Sequence, residues 1–135
     1  MAEILINIDV GGIDSAINFY TAALGLQLGR RLFDGTVAEM LGASSKIYLL
    51  LKSAGSLPSA EVIESRNYHR HWTPVHINFV VEDIDAAIKQ AQAAGAKLES
   101  EPQSFAWEKL ATLSDPFGHG LCLVQWLGAG YDEIA

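Results

Sequence analysis

The chain holds a single cysteine, Cys122, so no internal disulfide and no cysteine-built zinc cluster can form. Basic residues are scarce: nine Lys and Arg face sixteen Asp and Glu, a net charge of −7. Without a basic stripe there is nothing to neutralise a phosphate backbone, so nucleic acid is excluded as a partner, and an anionic membrane surface with it. Long apolar runs are also missing. The longest, residues 47–51, falls far short of the ~18 that a membrane span needs, and the N-terminus lacks a basic segment followed by an apolar one. A soluble, cytoplasmic protein is expected. No GxSxG, P-loop, paired CxxC or HExxH motif occurs, which leaves serine hydrolase, NTPase and zinc peptidase chemistry without support.

What is present is a core. Half of the 135 residues are hydrophobic and 19% are charged, which rules out disorder and suits one domain covering residues 1–135. The charge is uneven. Residues 1–70 carry six cations and seven anions, whereas residues 71–135 carry three cations and nine anions.

The chain repeats itself at an offset of 71. Leu5-Ile6-Asn7-Ile8-Asp9-Val10 followed by Ile13-Asp14-Ser15-Ala16-Ile17 matches His76-Ile77-Asn78-Phe79-Val80-Val81 followed by Ile84-Asp85-Ala86-Ala87-Ile88. In both copies a two-residue alternation gives way to helical spacing at the Ile-Asp pair. Ile4, Ile6, Ile8 and Val10 share one strand face, matched by Val75, Ile77, Phe79 and Val81; these are predicted to meet the helices. The opposite face carries Leu5, Asn7 and Asp9 in one copy and His76, Asn78 and Val80 in the other, and reads as a cavity lining. Helices are predicted over 14–24 and 85–94, each ending at a glycine. Strand-like stretches follow at 26–33 and 96–98, then hairpins of 37–41 with 46–52 and of 110–114 with 121–126. The second hairpin turns at Asp115-Pro116-Phe117-Gly118. Each half therefore reads β-α-β-β-β: module 1 at about 1–52 and module 2 at about 74–128, with a linker over 53–73 and a short tail over 129–135. So long a linker is unusual without structure or function of its own, and residues 59–68 are the candidate for a short helix.

Two such copies, Phe19-Tyr20 before Leu24-Gly25-Leu26, and the Asp115–Gly118 turn before an apolar strand together resemble the vicinal oxygen chelate superfamily, the glyoxalase, bleomycin-resistance and dioxygenase group. The resemblance implies an α+β fold of curved mixed sheets around a cavity, a homodimer, and in catalytic members a divalent metal open to two substrate oxygens. Carried onto this chain, its metal positions fall on Leu5, Tyr48, His76 and Cys122. Only His76 is a conventional ligand there. No cofactor is therefore expected, with a divalent metal as the alternative.

The remaining candidates each carry two readings. His76, Asn7 and Asn78 either contact a ligand or satisfy one another inside the protein. Tyr48, Cys122, Val124 and Trp126, with Trp107 nearby, either line a site for a planar ligand or pack as core. Tyr68-His69-Arg70-His71-Trp72 reads as an aromatic flap, a dimer contact, or a metal pair of His69 and His71. Glu39 is expected to face solvent, with proton transfer or metal ligation as the alternative. One of Arg30 and Arg31 is expected to turn inward to an anionic group while the other stays solvated. The expected function is binding of a small, partly aromatic organic molecule through Asn7, Tyr48, His76, Asn78, Trp107, Cys122 and Trp126. The rivals are a metal-dependent lyase or isomerase or a dioxygenase with a rebuilt site, in which case the chain is an enzyme, and a ligand-free interaction module.

Overall fold

In the computed structural model, which describes residues 1–135, the chain forms two units, Met1–His69 and Arg70–Ala135. The fold is α+β. No helix is long and apolar enough to cross a membrane.

The first unit runs β1 (Ile6–Val10), α1 (Ile13–Leu24), β2 (Gln27–Leu32), β3 (Val37–Leu41) and β4 (Ile47–Leu51). Its sheet has the order β1-β4-β3-β2, with β1 parallel to β4 and the other pairs antiparallel. Ala16, Phe19, Tyr20 and Ala23 recur at helical spacing as the buried stripe of α1. They pack with Ile8, Val10, Ala38, Met40, Ile47 and Leu49, all buried on alternate strand positions. Gly25 ends the helix, its N–H donating to the Thr21 carbonyl and that of Leu26 to the Tyr20 carbonyl.

The second unit runs β5 (Ile77–Val80), α2 (Ile84–Ala93), β6 (Lys97–Leu98), β7 (Gln103–Ser104), β8 (Glu108–Ser114), β9 (Gly120–Trp126) and a 3-10 turn (Gly130–Glu133). Its sheet has the order β5-β9-β8-β6, and β7 continues along β8 beyond β6. The two units thus repeat one plan, with β5 parallel to β9 as β1 is to β4. Ile84, Ile88 and Ala91 form the buried stripe of α2, against a sheet face of Ala111, Leu113, Leu121 and Leu123. Truncating Ile88 to Ala would cost about 2–5 kcal/mol. The helix starts differ at equivalent positions. Asp83 caps α2 by accepting from the Ala86 N–H at 3.1 Å, whereas Gly12 begins α1 with no side-chain cap.

The strand and helix predictions hold within a residue or two, with three corrections. Ile4 and Val75 precede their strands and are exposed rather than buried. The strand β7 was not anticipated, being only two residues long. Residues 59–68 form no helix. Their backbone is committed elsewhere: the Gly55 N–H donates to the Arg66 carbonyl and the Arg66 N–H to the Ser56 carbonyl. Arg66 Nε also pairs with Asp9 Oδ2 at 2.7 Å, and Nη1 donates to Leu57 O and Ser56 Oγ. These bonds pin the segment as an irregular loop on the first unit.

Candidate functional site

In each sheet the face turned away from the helix carries the polar and aromatic candidates, and each unit builds its own version.

In the first unit, Asn7, Tyr48 and Glu39 lie side by side across β1, β4 and β3. Glu39 does not face solvent as expected; it is 4% exposed. Its burial is compensated by a fork of bonds from Arg30, Nε to Oε1 at 3.0 Å and Nη2 to Oε2 at 2.8 Å. The Tyr48 hydroxyl donates to Oε2 at 3.0 Å. The Arg30 hydrogen bonds hold the Glu39 carboxyl down to about 2 against the opposing effect of burial, with the Tyr48 bond assisting. The guanidinium is raised in return, chiefly by the same bonds. A register shift in β2 between Leu28 and Arg31 accompanies this contact, and Gly29 leaves room for it. A Cβ there would lie 2.9 Å from Glu39 Oε1 and 3.0 Å from Leu41 Cδ1. Arg30 thus answers an anion of the protein itself, and Arg31, expected to be its solvated neighbour, bonds to Asp14 and to the Gly35 carbonyl. Asn7 is exposed.

In the second unit, three strands align Asn78 with Cys122 and Thr112, and Val80 with Val124 and Leu110. Glu108 and Trp126 face each other at the end of the β8-β9 pair. Cys122 and Val124 are buried, whereas Asn78 and Trp126 are exposed. Burial pushes the Cys122 thiol up, the Thr112 hydroxyl 3.7 Å from Sγ opposes this, and the Glu108 charge reinforces it. Glu108 is 6% exposed. It accepts from Trp107 Nε1 at 3.0 Å, and its charge is the first cause that raises the nearby Tyr131 phenol. Trp107 stacks on Phe105 at 5.3 Å and 15°, and Trp126 meets Tyr131 edge-on at 4.6 Å. Trp107 and Trp126 thus lie at one end of the β8-β9 pair with Glu108 and Tyr131, and Cys122 lies further along β9 beside Thr112. Glu108 is missed when β8 is begun at Leu110, although Leu110 and Thr112 at two-residue spacing point back to it.

The segment 68–72 is divided rather than forming one flap. The Tyr68 hydroxyl donates to the Lys52 carbonyl at 2.6 Å, within the first unit. Arg70, His71 and Trp72 strap onto the β8-β9 turn of the second. Arg70 forks onto Glu99, and the His71 N–H donates to Gly118 O at 2.9 Å. Trp72 lies over Gly120, where any Cβ would fall inside its ring. The turn itself is built as its residues suggest, with Asp115 Oδ1 accepting from the N–H groups of Phe117 and His119. His71 meets His119. Its Nε2 lies 2.8 Å from Nδ1 of His119, because the strap runs alongside that strand.

The four metal positions implied by the resemblance do not fit a divalent metal. Leu5 has no donor atom and is exposed, the Tyr48 hydroxyl is bonded to Glu39, and the buried Cys122 thiol is held toward its protonated form. His76 is exposed and stacks on Trp72 at 4.5 Å. No three His, Cys, Asp or Glu side chains converge to hold an ion.

Residues 5–124 match the glyoxalase-like domain family. The chain belongs to it. This places it in the vicinal oxygen chelate superfamily, the group of glyoxalases, bleomycin-resistance proteins and dioxygenases. Among curated relatives, the anthracycline biosynthesis protein DnrV of Streptomyces peucetius is 29% identical over 127 residues, 92% of this chain and 41% of that protein. CFP32 of Mycobacterium tuberculosis, which carries a provisional glyoxylase name, is 33% identical over 108 residues, 78% of this chain and 36% of that one. The glyoxalase-like chain thus spans about two-fifths of the length of these relatives. Among solved structures, a glyoxalase/bleomycin resistance protein/dioxygenase family enzyme of Burkholderia phytofirmans superposes with a TM-score of 0.73 at 21% identity, covering 91% of this chain and 97% of that one. That likeness concerns the fold.

Proposed function

We propose that this glyoxalase-like chain binds a small, planar, partly aromatic organic molecule on the helix-free face of the second unit's sheet, with no metal at the family positions. The observation that carries the reading is the rim of that face: the Trp126 and Tyr131 rings are exposed, Trp107 and Leu110 are partly so, Val124 and Cys122 form a buried apolar floor, and few polar groups accompany them. Asn78 lies in register with Cys122 and offers a donor and an acceptor to fix orientation. In the first unit, Asn7 and Tyr48 present a second polar edge beside the Glu39 and Arg30 pair. The name of DnrV, an anthracycline biosynthesis protein, supports a small organic molecule as ligand. The donor set at Leu5, Tyr48, His76 and Cys122 favours binding without metal. We place the protein as a homodimer, which its sedimentation would report.

Isothermal titration with a neutral probe, 1-naphthalenemethanol, in buffer containing EDTA tests this. Saturable binding that weakens severalfold in Trp126→Ala is expected. No binding in EDTA, with binding restored by stoichiometric zinc, nickel, iron or manganese, would instead support the metal-dependent lyase, isomerase or dioxygenase. That second reading draws on the one converging imidazole pair, His71 and His119.

A further inference from the structure

The second unit buries a carboxylate without a cation. Glu108 is 6% exposed, yet it takes part in none of the ion pairs of the protein. The donor it accepts from is the Trp107 indole N–H, and the Tyr131 phenol lies close enough to feel its charge; both groups are neutral. Such groups leave the charge uncompensated, and a buried charge is costly unless it is paired. Lys109, the next residue, alternates to the other side of the pleat, opposite Gln125. The surroundings favour a positive visitor. Trp126 faces Glu108 across the strand pair and meets Tyr131 edge-on, and both rings keep substantial exposure, 39% and 53%. Aromatic faces beside a carboxylate attract a cation twice over, through the ring quadrupole and through the charge. Residues 71–135 add an excess of six negative charges, which draws cations toward this half of the chain.

We infer that the molecule bound on this face carries a protonated amine beside its aromatic system, and that the Glu108 carboxylate is its counter-ion, with Trp107, Trp126 and Tyr131 as the surrounding rings. The inference rests on the aromatic-ligand reading above and narrows it to aromatic amines. On binding, the ammonium donates to Glu108 beside the Trp107 N–H, which remains, and the Tyr131 ring moves to admit it. Tyr131 is suited to yielding, since it sits in the last short turn of the chain and is half exposed.

The experiment compares 1-naphthylmethylamine with 1-naphthalenemethanol, which share a ring system and differ in charge, by isothermal titration at pH 7 on the full chain. The amine is expected to bind at least about tenfold more tightly, the scale of one hydrogen bond to a charged group. In Glu108→Gln, which keeps an acceptor for Trp107, the preference should shrink to within about twofold. In Tyr131→Phe, which leaves the carboxylate intact, the preference should persist or grow. Equal affinities in the unmodified protein would overturn the inference, as would a preference that survives Glu108→Gln or vanishes in Tyr131→Phe. Binding of both compounds without preference leaves the aromatic reading standing and removes this one; binding of neither removes both.

Discussion

Glu39 in the first unit and Glu108 in the second are both buried glutamates on the helix-free face of their sheets, yet they are satisfied in opposite ways. Glu39 meets a forked guanidinium and a tyrosine hydroxyl, so its charge is matched inside the protein. Glu108 meets an indole N–H, with a phenol nearby and no cation, so its charge is not matched. The first arrangement is complete and stabilises a hairpin. The second lacks a cation, and that is what a site for a cationic ligand looks like before the ligand arrives. Two copies of one plan have thus diverged at the same kind of residue into a structural pair and a candidate site.

The sharpest way to break this comparison is to remove one neutral donor from each glutamate. Trp107→Phe strips a buried carboxylate, Glu108, of its indole bond, at an expected cost of about 1–3 kcal/mol in urea unfolding at pH 7. Tyr48→Phe should cost less, because Arg30 still holds Glu39. Equal losses would mean that the two carboxylates are equivalent after all.

The next largest effect comes from making the first unit resemble the second. Glu39 is depressed from an ordinary 4.5 to about 2, so its contribution to stability is full above about 4.5 and is lost as pH falls through about 2. In Arg30→Ala the main cause of that depression is gone. The carboxyl should titrate well above 2 when followed by NMR, acid unfolding should begin at higher pH, and the melting temperature at pH 7 should fall by a few degrees. A carboxyl still titrating near 2 would show that Arg30 is not what compensates it.

The smallest expected effect is a null that the comparison requires. Glu108→Met exchanges a buried, uncompensated charge for apolar volume and should leave stability within about 1 kcal/mol of the parent or raise it. Glu39→Met should lower the melting temperature, since it strands both Arg30 and Tyr48. A marked loss in Glu108→Met would mean that the carboxylate serves the fold rather than a ligand.

The repeat, the helices, the hairpins and the Asp115–Gly118 turn were legible in the sequence because each rests on local spacing. The Arg30 and Glu39 pair was legible in principle. The β2-β3 hairpin sets Leu32 opposite Val37 and Arg31 opposite Ala38, so continuing the count brings Arg30 to Glu39. A lone acid in an apolar strand nevertheless reads as solvated until its partner is identified. Glu108 and Tyr131 were not legible as a pair, because the residue separation is long and one of them lies in the tail. The same holds for His71 and His119, and for Arg66 with Asp9, which are joined by tertiary packing and not by any period. Leu5, Tyr48 and Cys122 at the metal positions were read from the resemblance, and the bonds around Tyr48 and Cys122 supply the physical reason that they make poor ligands.

The measurement that tests the central claim most directly is the affinity of the unmodified protein for 1-naphthylmethylamine in EDTA, compared with its affinity when a divalent metal is supplied. The account predicts saturable binding in EDTA, unchanged by added metal and weakened to about the affinity of 1-naphthalenemethanol when the Glu108 charge is removed. Binding that appears only with metal, or no binding in either buffer, would contradict it.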